Sequence, residues 1–389
     1  MSGSGTDAAM QAAVVRDLAG FDALADEWDE LWQRCPAATP FQTHGWLSSW
    51  ARAYVPSGRV VVVVVRSGGR LVAGAALHRV RRGPLPVLVP LGGRISDFTD
   101  VLVDPGVPTA AGRLAAELAG LRGPVLLDLP EVLPGAMAEG LAASWPGTVH
   151  RMPASVSLEI PAEDLAAALA RLPSRTASTL RRKLRRIEKS GIERTEVAAS
   201  DVPRAVADLL VLHEAQWAGR GGNPEHLRDR FRQHLAGALS RMVDRGQAVV
   251  VEYRLEGRLV SSQIDLVDSG RLSYYLAGIS PDLRELIDTA ALVVRGDLEL
   301  AGRLGSTRYS MLRGREDYKF RWRPDEVQAT RLLLGRPRGP AAAYVAAAEL
   351  RVVAVRVAKA GRDRMRARRA ERSGQGFPAT VGPPSATPS

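Results

Sequence analysis

A fifteen-residue stretch occurs twice in this chain. Residues 58–72 and 246–260, offset by 188 positions, agree at Gly58/Gly246, Val61/Val249, Val62/Val250, Val63/Val251, Arg66/Arg254, Gly69/Gly257, Arg70/Arg258, Leu71/Leu259 and Val72/Val260. Each copy reads as a β-branched run, a Gly-bearing turn and a second apolar run, which is the pattern of a β-hairpin. Each is preceded by Trp-bearing helical segments, and each leads into a further strand and a long helix. The repeat predicts two related mixed α/β units in tandem, each a twisted sheet flanked by helices. The length agrees, since 389 residues exceed the roughly 250–300 that one hydrophobic core serves. The units are expected over residues 12–160 and 161–335. A basic Ala/Val/Arg helix (336–372) and a Gly/Pro/Ser-rich tail expected to be disordered (373–389) follow.

In the first unit, periodicity predicts a helix over Phe21–Arg34, another over Thr43–Tyr54, and a closing strand over Val149–Ile160. In the second, a basic helix over Ser178–Ser190, capped by Ser178 or Thr179, precedes a strand and two helices, Val202–Trp217 and His226–Asp244. A Gly-rich loop, Gly219-Arg220-Gly221-Gly222, separates those two helices. A single long helix is expected near Leu286–Leu304.

The copies diverge informatively just after the hairpin turn. Alternate residues of a strand share a face, so Ser261, Gln263 and Asp265 lie together where the first copy has Ala73, Ala75 and Leu77. Burying such polar groups unpaired costs about 1–3 kcal/mol each. This face is therefore expected to line a wet cleft in the second unit.

The chain carries 53 Lys+Arg against 42 Asp+Glu, and the excess sits in two places. Residues 171–194 hold nine basic and two acidic side chains, and residues 341–389 hold nine and three. The remaining chain is near neutral. Such stripes can collect phosphates, nucleic acid or an anionic membrane, or be solvated helix faces. Neither has the interleaved aromatics of a single-strand nucleic-acid platform. One cysteine, Cys35, excludes an internal disulfide framework and a multi-Cys metal site. His226 and His234 share a predicted helix without an evident third ligand, so no metal is expected. No apolar run reaches the roughly 18–20 residues of a membrane span, and the start lacks the features of a secretory signal. A cytoplasmic setting is the expectation. Gly3-Ser4-Gly5-Thr6-Asp7-Ala8 fits a dinucleotide-loop pattern, but no strand precedes it.

The segment Tyr309 to Trp322 is the densest in chemistry: a strand ends in a Gly turn and a Tyr-Lys pair leads into an aromatic pair, with an amphipathic edge hairpin as the alternative. Tyr318 is a proton donor, Lys319 an anion holder and Glu316 a base.

Gly314-x-Glu316-x-Tyr318-Lys319-x-x-Trp322 resembles the C-terminal signature of the CelD/BcsL-type acetyltransferases, a branch of the GNAT superfamily. Pro40-Phe41-Gln42-Thr43-x-x-Trp46-Leu47-x-x-Trp50, Leu212-His213-x-x-x-Trp217, the basic helix Arg182–Gly191 and Tyr274-Tyr275-x-x-Gly278 resemble further blocks of that family in the same order. The resemblance spans about residues 12–335. It implies tandem GNAT-like domains and acyl transfer in the second, from acetyl-CoA or another acyl-CoA to an amine on a small molecule or glycan precursor. The Tyr-Lys-aromatic ending is also similar to the FemAB-type aminoacyl transferases, which share the fold.

The implied roles are these. His213, Asp265 or Glu316 takes a proton from the amine; the two carboxylates require burial to raise their pKa. A backbone N–H of the strand Leu272–Leu276 polarises the carbonyl, and Tyr318 protonates the leaving group. Lys319 and Arg313 hold an anionic part of donor or acceptor. Tyr275, Gly278, Ser280 and Arg284 belong to the donor side, and Trp217, Ser261 and Gln263 to the acceptor. The stretch Gly278 to Leu286 departs from a pyrophosphate loop, since its helix start lacks glycine and carries Asp282 and Glu285. Two alternatives stand beside acyl-CoA chemistry. One is a FemAB-like transferase fed by charged tRNA, giving the stripe Arg181–Lys189 a nucleic-acid partner. The other is a non-catalytic GNAT-like binding module, with the C-terminal basic helix lying on anionic lipid.

Overall fold

The computed structural model describes residues 10–123, 125–218 and 223–336. The Gly3–Ala8 pattern, the loop 219–222, almost all of the basic C-terminal helix and the tail lie outside the described residues. The first half comprises β1 (Gln11–Val15), α1 (Leu18–Asp22), α2 (Ala25–Arg34), α3 (His44–Tyr54), β2 (Val60–Ser67), β3 (Arg70–Arg82), β4 (Leu85–Pro90), β5 (Leu102–Val103), α4 (Thr109–Gly120), β6 (Leu126–Val132), α5 (Met137–Ala143) and β7 (Thr148–Pro161). The second comprises α6 (Leu165–Ala170), α7 (Ser174–Glu188), β8 (Ile192–Glu196), α8 (Val202–Trp217), α9 (Asp229–Asp244), β9 (Ala248–Leu255), β10 (Arg258–Val267), β11 (Arg271–Ile279), α10 (Pro281–Leu286), α11 (Thr289–Arg303), β12 (Arg308–Arg313), α12 (Asp317–Phe320) and β13 (Asp325–Gly335).

Both copies of the repeat are antiparallel hairpins, β2–β3 and β9–β10. Their two-residue turns need positive φ at both positions. Gly68 and Gly69 take +56° and +83°, and Glu256 and Gly257 take +52° and +76°. The hairpins occupy matching places in one mixed sheet of order β1-β2-β3-β4-β6-β13-β7-β12-β11-β10-β9-β8, with β5 beside β3. Each half contributes one parallel pair, β4 with β6 and β11 with β12. At the centre the halves exchange their last strands. β7, which ends the first half, pairs with β12, and β13, which ends the second, pairs with β6. The sheet runs unbroken past residue 160.

Helices cover both faces. On one face, α1–α3, α8 and α9 pack over strands of both halves in a single core that includes Phe21, Trp28, Trp46, Leu209, Phe231, Leu235, Val250, Ile264 and Leu276. The other face carries two cores, one under α4 and α5 and one under α6, α7 and α11. Alternation along β2 shows the sorting: Val60, Val62 and Val64 join the shared core, and Val61, Val63 and Val65 the other.

Three elements depart from the periodicity reading. The segment 21–34 is two helices, broken at Ala23 and Leu24. The basic helix starts at Ser174, a turn before the expected caps, because Ala177 and Leu180 already face the core; Ser178 and Thr179 lie inside it. The segment 286–304 is broken at Ile287 and Asp288, where the Asp288 carboxylate caps α11 by accepting from Ala291 N–H. In the segment 309–322 the strand does end in a Gly turn: β12 stops at Arg313, Gly314 takes φ +115° and α12 follows, so the alternative edge hairpin is not formed.

Candidate functional site

β11 and β12 pair in parallel register over Arg271–Ser273 and Arg308–Ser310. On its other side β11 stays paired with β10 through Ile279, with Tyr275 bulged between Leu276 and Tyr274. The later part of β11 thus has an edge that no strand fills, and α8 lies along it. Gly278 permits this approach. A Cβ there would collide with Leu209 O and come within 2.7 Å of His213 N and Leu212 Cβ. At this distance His213 Nδ1–H donates to Ala277 O (2.7 Å), and Ile279 N–H donates to Gln216 Oε1 (2.9 Å). N–H and C=O of one strand residue point to the same side, so the Ala277 N–H faces this edge too.

The bond to Ala277 O fixes the tautomer of His213, leaving Nε2 as the acceptor. That nitrogen lies 3.0 Å from His226 Nδ1, and His226 Nε2 lies 3.1 Å from Asn223 Nδ2. His226 stacks on Phe231. Burial lowers the pKa of His213, and burial together with the neighbouring His213 lowers that of His226 to about 4. Both rings are therefore neutral proton acceptors near pH 7. Trp217, its ring centroid 6.2 Å from that of His213, is partly exposed beside them. His226 and His234 do not share a helix as expected. His226 lies in the short 3₁₀ turn Pro224–Leu227 ahead of α9, and His234 is fully buried against Trp46, away from the histidine pair. Gln216 and His226 are the residues that sequence reasoning missed. Gln216 stands within the α8 block, one residue before Trp217, but nothing in the sequence announced that it bonds a strand edge.

The wet cleft expected around Ser261, Gln263 and Asp265 is not formed. All three are buried under α11 and α7, on the face of β10 that joins the third core. Gln263 Nε2 donates to Asp265 Oδ2 (2.7 Å) and to Asp297 Oδ1 (2.6 Å), and Tyr309 OH donates to Asp297 Oδ2 (2.6 Å). The Gln263 amide and one oxygen of Asp265 are thus engaged inside the protein, whereas Ser261 Oγ, Gln263 Oε1 and Asp265 Oδ1 are buried without a partner. Burial raises the pKa of both acids, that of Asp297 to about 7, and the Asp297 charge raises Asp265 further. Tyr318 adjoins this network. Burial, then Glu316 and Asp297, push its hydroxyl upward, so it is a protonated phenol at neutral pH.

The other expected residues lie elsewhere. Arg313 is turned toward the first half, with Nε on Asp97 Oδ1 (2.9 Å), one amino group on Glu131 Oε1 (3.3 Å) and the other on Ser96 O. Two carboxylates balance its charge. Lys319 is buried and spans Arg313 O (3.0 Å) and Glu316 Oε2 (2.8 Å), which ties α12 to the end of β12. Tyr275 packs on Phe41 and Trp46 and donates to Ile95 O (3.0 Å). Ser280 stands at the N-cap position of α10 without a side-chain capping bond, and Arg284 lies within that helix. The start of α11 is taken by Asp288, on which Lys183 (2.5 Å) and Arg321 (3.2 Å) converge. Beyond β4 in the first half, Trp28, Gln42, Leu91 and Phe98 leave a cavity of only about 10 Å³.

Residues 174–320 match the model of an acetyltransferase (GNAT) domain. This GNAT match covers the β11 edge, α8 and the α12 turn. Comparison with curated proteins gives no match. Among solved structures the chain is similar to FemX (12% identity, TM-score 0.58, 80% of this chain and 96% of that one). It is similar also to a conserved protein of unknown function from Bacteroides thetaiotaomicron (12%, 0.55, 84% and 100%). A third is the C-terminal domain of a protein provisionally assigned as a lysylphosphatidylglycerol synthetase from Agrobacterium fabrum (13%, 0.52, 86% and 97%). At these identities the likeness is one of fold, a large mixed sheet flanked by helices. No described helix is long and apolar enough to cross a membrane.

Proposed function

We propose that the chain is an N-acyltransferase whose reaction centre is the unfilled edge of β11 in the second half, as the resemblance to CelD/BcsL-type enzymes implies. The observation that carries the reading is the paired His213 and His226 held on that edge by Gly278 and Ala277 O. An acyl donor laid along the edge meets the Ala277 N–H, which is placed to polarise its carbonyl as an oxyanion-hole donor does. Ala277 stands one residue past the strand Leu272–Leu276 from which such a donor was expected. The amine nitrogen attacks the carbonyl carbon, a C–N bond forms, and the bond from that carbon to the leaving group breaks. The amine displaces Asn223 Nδ2–H from His226 Nε2, and its proton passes to that nitrogen while His226 Nδ1–H passes to His213 Nε2. The imidazolium so formed keeps its Nδ1–H on Ala277 O. Tyr318, protonated at neutral pH, is the proposed proton donor to the leaving group. Trp217 offers an apolar wall to the acceptor. Gln263 and Asp265, being dry, support the strand rather than touch substrate.

Acyl-CoA is the first candidate donor, in a cytoplasmic setting. The residues at the start of α11 do not fit its pyrophosphate, because the Asp288 carboxylate already fills the helix start. This observation favours a second reading, in which an aminoacyl ester of tRNA is the donor. Arg175, Arg181, Arg182, Arg185, Arg186 and Lys189 of the α7 segment are exposed on the side opposite its buried Ala177, Leu180, Leu184 and Ile187. Thermal unfolding of the full chain with acetyl-CoA, longer acyl-CoAs and aminoacyl-tRNA separates the two, since a ligand of the native state raises stability by RT ln(1 + [L]/Kd). A rise with an acyl-CoA selects the first. A rise only with aminoacyl-tRNA, falling steeply with salt, selects the second. No rise with any donor contradicts both and leaves the non-catalytic module.

A further inference from the structure

The largest of three cavities described in this molecule, about 420 Å³, lies away from the β11 edge. It sits where α3 of the first half meets α9 of the second, beside the end of α1, and it opens to solvent. Its polar lining includes Asp22, His44, Ser49, Arg52, Gln233 and Arg241. Gly45, Ala53 and Gly237 supply the room. A Cβ on Gly237 would come within 2.8 Å of Ser49 Oγ.

Charge and hydrogen bonding both indicate a ligand. Arg52 pairs with Asp22 (2.7 Å), whereas the nearest carboxylate to Arg241 is Asp26 at 3.7 Å, and that carboxylate is bound more closely by Arg245. Two arginines and one carboxylate line the cavity, and Asp26, just outside the lining, is shared between Arg241 and Arg245. The Arg241 Nε is buried without a partner. His44 is 1% exposed. Its Nε2 lies 3.1 Å from Phe21 O, which only accepts, so Nε2 carries the hydrogen. Its Nδ1 is thus a lone-pair acceptor, and it too is buried without a partner. Burial, then the Arg241 charge, keeps this ring neutral. An unpaired acceptor beside an under-neutralised guanidinium asks for a molecule bearing both an anionic group and a hydroxyl.

We infer that this cavity is a binding site for a small hydroxylated anion of the sugar-phosphate or polyol-phosphate type, its phosphate on Arg241 and Arg52 and a hydroxyl donating toward His44 Nδ1. The site joins one helix from each half. It shares no residue with the proposed reaction centre, so it stands or falls separately from acyl transfer.

The test is thermal unfolding of the full chain with inorganic phosphate and with glycerol 3-phosphate, against sodium chloride at matched ionic strength. Both phosphates are expected to raise Tm above the chloride control, glycerol 3-phosphate at lower concentration. Arg241→Gln and the exposed Arg52→Gln each remove one arm of the anion clamp and are expected to weaken the apparent Kd about tenfold or more. Arg52→Gln keeps the test open if Arg241→Gln fails to fold. No rise over chloride, or rises unchanged in both variants, overturns the site. Equal potency of the two phosphates overturns the hydroxyl contact.

Discussion

Gly278 has no Cβ, and the backbone of α8 occupies the space one would fill, with His213 N at 2.7 Å from its ideal position. Gly278→Ala must push α8 off β11, because the obstructing atoms include main chain rather than a flexible side-chain end. The expected cost is about 3 kcal/mol or more, at or above the usual range for overpacking, and denaturant unfolding measures it; a loss near zero would show that α8 can yield. Gln216→Leu should cost about 1–3 kcal/mol by leaving the Ile279 N–H unpaired, again read from denaturant midpoints. His213 and Trp217 were legible because their spacing in one helix matches a known block. His226 was not, because it reaches His213 across a turn and a Gly-rich loop, and no linear pattern encodes a contact made by the path of a loop. Arg313 and Lys319 misled for a related reason. Their sequence neighbours suggest an anion site, but the partners that engage Arg313, Asp97 and Glu131, lie far back in the chain.

Between β10 and α11, a polar strand face meets a helix that supplies its own carboxylate. Alternation correctly put Ser261, Gln263 and Asp265 on one side, but a polar face has the same period whether it meets water or a buried acid. Asp297 sits on the core side of α11, and the expected helix gave no sign that it was buried. The consequence is a pH dependence. Both acids have raised folded-state pKa values, Asp297 about 7. A raised acid makes the folded state bind more protons than the unfolded chain, whose carboxyls titrate near about 4. The stability they contribute is complete below that value and is lost as pH rises through about 7. Tm measured from pH 5 to 8 should carry this falling component, and Asp265→Asn, which cannot ionise, should reduce it. An unchanged slope in the variant would mean the pair does not titrate there.

In the whole molecule the duplicated hairpin foretold two related halves, and both parallel pairs and both hairpins occupy matching places in the sheet. The exchange of last strands was not legible. β7 and β13 are long strands that could each close their own half, and pairing partners are not written in a strand's period. Because β13 pairs with β6 and β7 with β12, neither half completes its sheet without the other. Calorimetry is expected to give one cooperative transition for residues 10–336, with calorimetric and van't Hoff enthalpies equal; two well-separated transitions would contradict the interlocked sheet. The first half has filled the place beyond β4, whereas in the second the edge of β11 has no neighbouring strand and is met instead by α8 and its histidine pair, and the proposed chemistry rests on that difference. The most direct test is the rate of amine-dependent acyl transfer, with whichever donor raises Tm, in the wild-type chain and in His213→Ala at equal fold content by circular dichroism. The account predicts a fall in kcat of about 10²–10⁴ with donor binding retained. An unchanged kcat would contradict it.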